Sequence, residues 1–291
     1  MLVYLNGQYV PLREAMVSAL DRGFIFGDGV YEVWRVVRGR LFEAERHQAR
    51  LERGLRELRI ERPADATLER LTAIGERLLG EHGLLEGDAT LYVEITRGAA
   101  PRTHYFPVVG TPSTVLVTVG KLNLSDARFN GTSVITQPDI RWLRCDLKTV
   151  QLLPNVLARQ AAVEVGASEA IFVRDGAITE GTHTTVFALI NGVLRTHPAN
   201  HLVLPGVTRE VVMEIASAMG IEIREQPVAL TDLPNARELF LTGTTTDVTP
   251  VIRVDGDTIG TGSPGPIARA LLERLIERMG IQAGALTSAD S

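Results

Sequence analysis

The chain has few of the residues that define several large protein classes. Its 291 residues include one cysteine, Cys145, so an intramolecular disulfide framework is excluded and a reducing compartment is favoured. No apolar run is long enough to span a bilayer, and no basic region followed by an apolar block marks a signal peptide near Met1. The net charge of -5, without a basic stretch interleaved with aromatics, argues against nucleic acid or an anionic membrane. We expect a cytoplasmic protein that binds neither.

Lysine is also scarce. Of the 30 basic residues only Lys121 and Lys148 are lysine, and the others are arginine. Arginine supplies a solvated positive charge as well as lysine does, but it stays protonated and cannot act as an amine nucleophile. Lys148 is therefore a candidate for amine chemistry. On composition alone, an ordinary surface lysine in an arginine-rich sequence is an equally good interpretation.

The hydrophobic pattern mixes strands with helices and predicts an α+β fold. Turn pairs between apolar runs predict β-hairpins, and apolar residues three and four apart predict helices. A polar stretch after Lys121 suggests a boundary, giving a small domain over 1–120 and a larger domain over 121–291 that carries Lys148. We expect a frayed tail over 282–291. The hairpin turns are Asn6-Gly7, Asp175-Gly176, Asn191-Gly192 and Asp255-Gly256; the strands are 30–37, 90–97 and 115–119; the helices are 47–58, 66–79, 155–166, 208–219 and 264–279.

Two segments are suited to binding an anion. Gly206-Val207-Thr208 opens a predicted helix, where unpaired amides and the helix dipole favour negative charge. Thr242-Gly243-Thr244 places hydroxyls at the end of an apolar strand. Neither is a Walker loop, so a phosphate is a better expectation than a nucleotide. Taken alone, the first segment is more simply an ordinary N-cap.

Glu180 follows a predicted hairpin and precedes a strongly apolar strand, so it needs a partner when buried. A salt bridge to one of the arginines is the simpler account. The six histidines show no metal-ligand spacing, since Pro198 interrupts the pair His197 and His201, and we predict no metal. An amine, phosphate donors and a buried acid are together what pyridoxal phosphate requires.

Five stretches, in this order, resemble the fold type IV pyridoxal-phosphate aminotransferases. That class includes D-amino-acid and branched-chain aminotransferases and aminodeoxychorismate lyase. The resemblance covers nearly the whole chain and implies a two-domain homodimer with pyridoxal phosphate between the domains. The stretches are 21–32 (DRGFIFGDGVYE), 141–148 (RWLRCDLK), 179–181 (TEG), 206–209 (GVTR) and 242–244 (TGT).

The resemblance implies cofactor roles for individual residues. Lys148 matches the Schiff-base lysine, and Glu180 matches the carboxylate that faces the pyridine nitrogen. The phosphate-binding positions correspond to Arg50, Val207, Thr208, Gly243 and Thr244. Two positions depart from the family pattern: Gly243 stands where serine is frequent, so only its backbone amide could bind, and Thr185 stands where asparagine is usual.

Residues 97–107, RGAAPRTHYFP, resemble the D-amino-acid enzymes within this class. In those enzymes the residues matching Arg102 and His104 come from the partner subunit and join the tyrosine matching Tyr31 on the substrate carboxylate. Such donors suit a carboxylate because charge-assisted hydrogen bonds are strong. The resemblance thus implies shared active sites in a homodimer.

The expected reaction moves an α-amino group between D-amino acids, of the D-alanine, D-glutamate or D-aspartate type, and 2-oxo acids such as pyruvate and 2-oxoglutarate. The same scaffold also serves L-branched-chain or (R)-amine transamination and aminodeoxychorismate lyase chemistry. A cofactor-free binding protein remains the alternative of a different class, should Lys148 be structural.

Overall fold

The computed structural model describes residues 1–280, and the predicted tail over 282–291 lies outside them. Contacts divide the chain into two units. The first comprises Met1–Asn123 together with Leu147–Leu152, and the second comprises Leu124–Asp146 and the described residues from Leu153 onward. The change of unit near residue 123 is close to the sequence boundary, but Lys148 groups with the first unit, whereas the sequence interpretation assigned it to the larger C-terminal part.

The first unit is a six-stranded sheet with two long helices. The elements are β1 (Leu2–Leu5), β2 (Gln8–Pro11), α1 (Arg22–Phe26), β3 (Gly29–Val37), β4 (Arg40–Leu41), α2 (Ala44–Glu57), α3 (Leu68–Glu81), β5 (Asp88–Thr96) and β6 (Thr114–Lys121). The strand order is β2-β1-β6-β5-β3-β4. Alternate residues of β3 and β5, including Trp34 and Leu91, are fully buried in the core that α2 and α3 complete.

Helix α2 lies close to β3 because its contact residue is a glycine. A Cβ at Gly54 would stand 3.1 Å from Cγ1 of Val30, tighter than ordinary packing allows. Leu51 and Leu55, four residues apart, fill the same face and are buried. This packing puts the polar residues of α2 that face the sheet directly over β3.

The second unit is built on a ten-stranded sheet. The elements are α4 (Ala127–Asn130), β7 (Thr132–Pro138), α5 (Leu153–Glu164), β8 (Glu169–Arg174), β9 (Ala177–Gly181), β10 (Thr185–Ile190), β11 (Val193–Thr196), α6 (Val207–Ala218), β12 (Ile223–Glu225), β13 (Val228–Ala229), β14 (Ala236–Gly243), β15 (Asp247–Val254), β16 (Asp257–Thr258) and α7 (Pro266–Arg278). The strand order is β12-β11-β10-β14-β15-β7-β8-β9-β13, with β16 paired to β15. Helices α6 and α7 pack on β14, and α5 packs on β8.

The four predicted hairpins are confirmed. In each turn both central residues have positive φ, from 47° at Asn6 to 90° at Gly256, as a two-residue type I′ turn requires. The five predicted helices are also present, with ends within three residues of those expected. Among the helices of residues 1–280, none has the length and apolarity needed to cross a membrane.

Candidate active site

Lys148 lies on a short segment that pairs with the first residues of strand β3. The amide of Tyr31 donates to the carbonyl of Lys148 at 3.0 Å, and the amide of Val150 donates to the carbonyl of Gly29 at 3.2 Å. The lysine Nζ lies 4.2 Å from the centroid of the Tyr31 ring. The first unit therefore brings together two of the predicted residues, the amine and the substrate-binding tyrosine.

A buried acid lies on the other face of the same strand. The carboxylate of Glu32 accepts from Nε and Nη2 of Arg50, at 2.8 and 2.7 Å, and contacts Nδ1 of His47 at 2.9 Å. Burial by itself would raise the pKa of Glu32, but Arg50 and His47 outweigh it and lower this pKa. Burial also lowers the pKa of His47. The sequence assigned Arg50 to a phosphate. In this structure its guanidinium binds Glu32 and also lies 3.4 Å from Nδ1 of His47, and phosphate binding by Arg50 stays a prediction.

In the second unit, Glu180 is buried at the end of β9 and has two partners. Nη1 of Arg141 donates to Oε1, and the backbone amide of Leu204 donates to Oε2 at 3.0 Å. Burial raises the pKa of Glu180 to about 7, although both partners favour the ionised form. The carboxyl group is thus close to balance between its two protonation states at neutral pH.

Asp139 holds Arg141 in place. The fully buried Asp139 carboxylate accepts from Nε and Nη2 of Arg141 at 2.9 and 2.8 Å. It also accepts from the hydroxyl of Thr179 at 2.9 Å and lies 3.0 Å from Arg174. Burial would raise the pKa of Asp139, but Arg141 and the Thr179 hydroxyl outweigh it and lower this pKa. The guanidinium that binds Glu180 is therefore held in position by Asp139.

The start of helix α6 is close to this acid in space. Leu204, which binds Glu180, is two residues before Gly206, the N-cap of α6. Gly206 has no side chain to cap the helix, and a Cβ there would stand 3.0 Å from Oγ1 of Thr185. The first amides of α6 and a threonine hydroxyl therefore lie together, as phosphate binding at a helix N-terminus requires.

A second strand contributes to the same end of the sheet. Thr242 on β14 pairs in register with Thr185 on β10, and Gly243 follows it. Oγ1 of Thr242 is buried and has no hydrogen-bond partner among residues 1–280. A buried hydroxyl without a partner is costly and is suited to an external acceptor. These donors, with Glu180 nearby, fit a ligand that carries both a phosphate and a basic ring nitrogen.

Arg102 and His104 lie on the exposed connection between β5 and β6. Both contact the ring of Phe26: the guanidinium carbon of Arg102 lies 5.3 Å from the ring centroid, and the His104 ring lies 5.7 Å away, edge on. No hydrogen bond or ring contact within residues 1–280 joins either of them to Tyr31. The structure thus pairs Arg102 with His104 and leaves Tyr31 with Lys148.

Comparison with known proteins identifies the family. The profile of amino-transferase class IV matches residues 29–254. The chain is 40% identical to a D-alanine aminotransferase of Bacillus licheniformis, over 92% of this chain and 94% of that protein. It is 38% identical to a D-alanine aminotransferase of Staphylococcus haemolyticus, over 93% and 95%.

The chain belongs to the class IV aminotransferases.

Solved structures agree on the fold of this aminotransferase. A branched-chain aminotransferase of Thermoproteus uzoniensis, with norvaline, has a TM-score of 0.83 at 26% identity, covering 98% of this chain and 97% of that one. The Escherichia coli branched-chain amino acid aminotransferase has a TM-score of 0.85 at 24% identity, covering 95% and 93%. The expected two-domain α+β fold of type IV is confirmed.

The sequence interpretation of this aminotransferase missed several residues of the site. Arg141 and Asp139, which set the charge around Glu180, and Glu32, which engages Arg50, were given no role. Glu32 is the one with a usable signal, because it occurs between apolar residues on a strand face that is otherwise buried. An acid at such a position requires a cation opposite it.

The raised pKa of Glu180 makes the stability of the cofactor-free aminotransferase depend on pH. Its folded pKa of about 7 exceeds the ordinary value of 4.5, so the folded state keeps this proton to higher pH than the unfolded chain does. The contribution is fully present below pH 4.5 and is lost as pH rises through 7. By linkage it is on the order of 3 kcal/mol.

We therefore expect the free energy of unfolding of the parent, measured relative to Glu180→Gln in urea, to fall by that order between pH 4.5 and pH 8. Glu273→Gln, on the exposed face of α7, is the control and should track the parent at every pH. A difference between parent and Glu180→Gln that stays constant across this range would show that burial does not raise the Glu180 pKa.

Proposed function

We propose that this aminotransferase uses pyridoxal phosphate to move the α-amino group between D-amino acids and 2-oxo acids. One observation carries the proposal: the buried acid Glu180 is bound by the amide of Leu204, two residues before the uncapped start of α6. A pyridine-facing acid and a phosphate-binding helix start are thus adjacent in one unit. The relatives at 38 to 40% identity are D-alanine aminotransferases, which supports the substrate class.

Bound pyridoxal phosphate supplies an aldehyde for the amine and a protonated ring that takes electrons from the substrate α-carbon. Lys148 would hold the cofactor through its aldehyde. As a free amine, Lys148 would take the α-proton from the substrate and deliver it to the carbon of the former aldehyde. Only a lysine can do both, since an arginine would keep its proton.

Glu180 would hold a proton on the pyridine nitrogen. Its carboxylate is oriented by Arg141 and by the Leu204 amide, so it does not need to reorganise during the reaction. The phosphate is held by the first amides of α6, at Val207 and Thr208, by the amide of Gly243 and by the hydroxyl of Thr244. Arg50 is the further phosphate ligand that the family resemblance suggests.

The substrate carboxylate is bound by Arg102 and His104 with Tyr31. The guanidinium fork and the imidazole offer charged or polar donors on one exposed segment. A substrate held by its carboxylate and its amine has its α-hydrogen direction fixed, which selects one enantiomer. We assign the D-enantiomer from the named relatives.

We further propose a homodimer in which Arg102 and His104 serve the partner's Lys148. The segment that carries them has exposed apolar residues, Tyr105 at 74%, Val108 at 83% and Val109 at 102%, and Phe24 is 81% exposed. Exposed apolar clusters of this kind are typical of protein interfaces. The separation of Tyr31 from Arg102 within one chain supports the same arrangement. The cytoplasmic location expected from the sequence stays a prediction.

The two lysines give a matched test of the covalent role. After borohydride reduction of the cofactor-loaded enzyme, peptide mapping should find the cofactor on Lys148 in the parent and in Lys121→Arg. In Lys148→Arg the adduct should disappear and the rate with D-alanine should fall by at least about a hundredfold, because the proton-transfer amine is lost. Recovery of the adduct on Lys121 would refute the assignment.

The carboxylate role predicts a selective loss of substrate affinity in Arg102→Met. Loss of a charge-assisted pair should raise the Michaelis constant for D-alanine by about ten- to a hundredfold while cofactor absorbance stays in place. Arg274→Met, another exposed arginine, on α7, is the control. An unchanged Michaelis constant in Arg102→Met would show that Arg102 and His104 are ordinary loop residues that do not bind the substrate carboxylate.

The shared site predicts complementation between two inactive variants. When Lys148→Ala and Arg102→Met subunits are refolded together in equal amounts, half of the dimers are mixed and each mixed dimer has one undamaged site. Random pairing should then restore about a quarter of the parent activity. If native mass measurement confirms mixed dimers and activity does not recover, each subunit completes its own site.

A further inference from the structure

The segment that carries Arg102 and His104 has no strand or helix of its own, yet its two functional side chains share one support. Phe26, the last residue of α1, contacts both of them through its ring. A guanidinium near an aromatic ring and an edge-on ring pair each contribute on the order of 1 kcal/mol. One aromatic ring therefore contacts both side chains.

The backbone of the same segment is held by a different residue of α1. Nη1 of Arg22 donates to the carbonyl of Thr103 at 2.7 Å and lies 3.4 Å from the carbonyl of Tyr105. Thr103 lies between Arg102 and His104. The Arg22 side chain is 4% exposed, and its guanidinium carbon lies 4.8 Å from the centroid of the Phe26 ring. The buried arginine thus binds the backbone of the segment, and the neighbouring ring contacts its side chains.

Asp28 fixes this arginine and a second one. Its carboxylate lies 2.8 Å from Nε of Arg22 and accepts two bonds from Arg97, at 2.8 and 2.9 Å. Arg97 in turn donates to the carbonyls of Leu58 and Arg59 and lies 3.8 Å from the centroid of Phe106. Both ends of the 102–106 segment are therefore connected to one carboxylate.

Burial opposes ionisation of Asp28, but Arg97 and Arg22 outweigh it and keep the pKa of this carboxyl below its usual range. The carboxylate therefore stays charged at every pH at which the enzyme would work. The support of the segment does not depend on a titrating group.

We propose that Arg22, Phe26 and Asp28 form a clamp that positions Arg102 and His104 for the substrate carboxylate. The clamp rests on the proposed function in that it presumes these two residues bind the carboxylate. Its members do not touch substrate; they are positioning residues. Displacing a binding group by about 1 Å can cost a hundredfold in rate, so the clamp sets the preference for substrates that carry a carboxylate.

The test compares D-alanine with D-alaninamide, which keeps the amine and loses the carboxylate charge. In the cofactor-loaded enzyme, Arg22→Met and Phe26→Leu should each lower the ratio of kcat/KM for D-alanine to kcat/KM for D-alaninamide by about ten- to a hundredfold. Phe26→Tyr, which keeps the ring, should restore most of the ratio. Arg274→Met, which removes an exposed arginine on α7, is the control and should match the parent.

Amide hydrogen exchange over 102–109 gives a second readout that does not depend on activity. Exchange should be faster in Arg22→Met and in Phe26→Leu, because the segment has lost its support. In Arg102→Met it should match the parent, since Arg102 is held by the clamp and does not build it. A purely structural role would lower both kcat/KM values together and leave their ratio unchanged.

The outcomes separate the two proposals. If Arg102→Met leaves the ratio unchanged, the carboxylate role itself is wrong. If Arg102→Met lowers the ratio while Phe26→Leu changes neither the ratio nor the exchange rates, the carboxylate role stands and the clamp is overturned. Phe26→Leu decides the matter even if Arg22→Met, which leaves Asp28 with one fewer cation, does not fold.

Discussion

The structure depends on the pairing of buried carboxylates with arginine. Transferring a carboxylate from water into a protein interior costs several kcal/mol unless a cation and hydrogen bonds compensate for the lost hydration. Asp28, Glu32 and Asp139 are compensated in this way, by Arg22 and Arg97, by Arg50, and by Arg141 and Arg174. Glu180 is compensated only in part by Arg141, so burial still raises its pKa. Each pair joins residues distant in sequence or fixes a loop, so each also determines where a functional segment lies.

This use of arginine agrees with the small number of lysines in the chain. Arginine is always charged and presents a planar fork, which makes it a reliable partner for a buried carboxylate. An amine that must lose its proton cannot have such a partner, because a nearby carboxylate would keep it charged. The aromatic contact of Lys148 is the ring of Tyr31. Arginine therefore supports the fold, and the chemistry that we propose rests on Lys148.

Local features of the fold could be predicted from the sequence and the ion pairs could not. The Asn-Gly and Asp-Gly turns were predictable because positive φ at two successive residues demands those residue types. Helix α2 was predictable from the spacing of Leu51 and Leu55. The pairing of Arg141 with Glu180 spans 39 residues, and with 28 arginines available no local pattern selects the partner. The same ambiguity concealed the contact between Arg50 and Glu32.

Lys148 shows a second limit of sequence reasoning. A boundary drawn at a polar stretch assumes that each domain is continuous, and on that assumption Lys148 belongs to the C-terminal part. The chain instead returns to the first unit for six residues, 147–152, where it pairs with the start of β3. Backbone hydrogen bonds between residues distant in sequence hold these six residues on the first unit. Such bonds leave no periodic signal in the sequence.

Two positions that depart from the pattern of the resembled family lie at the proposed phosphate site. A Cβ at Gly243 would stand 3.4 Å from Oγ1 of Thr246, which is an ordinary contact, so space does not require glycine there and the missing serine removes only one possible hydroxyl donor. Thr185 keeps a hydroxyl, whose Oγ1 would stand 3.0 Å from a Cβ at Gly206, the N-cap of α6. Phosphate binding depends on the number and direction of donors, and neither departure removes the first amides of α6 or the buried Oγ1 of Thr242.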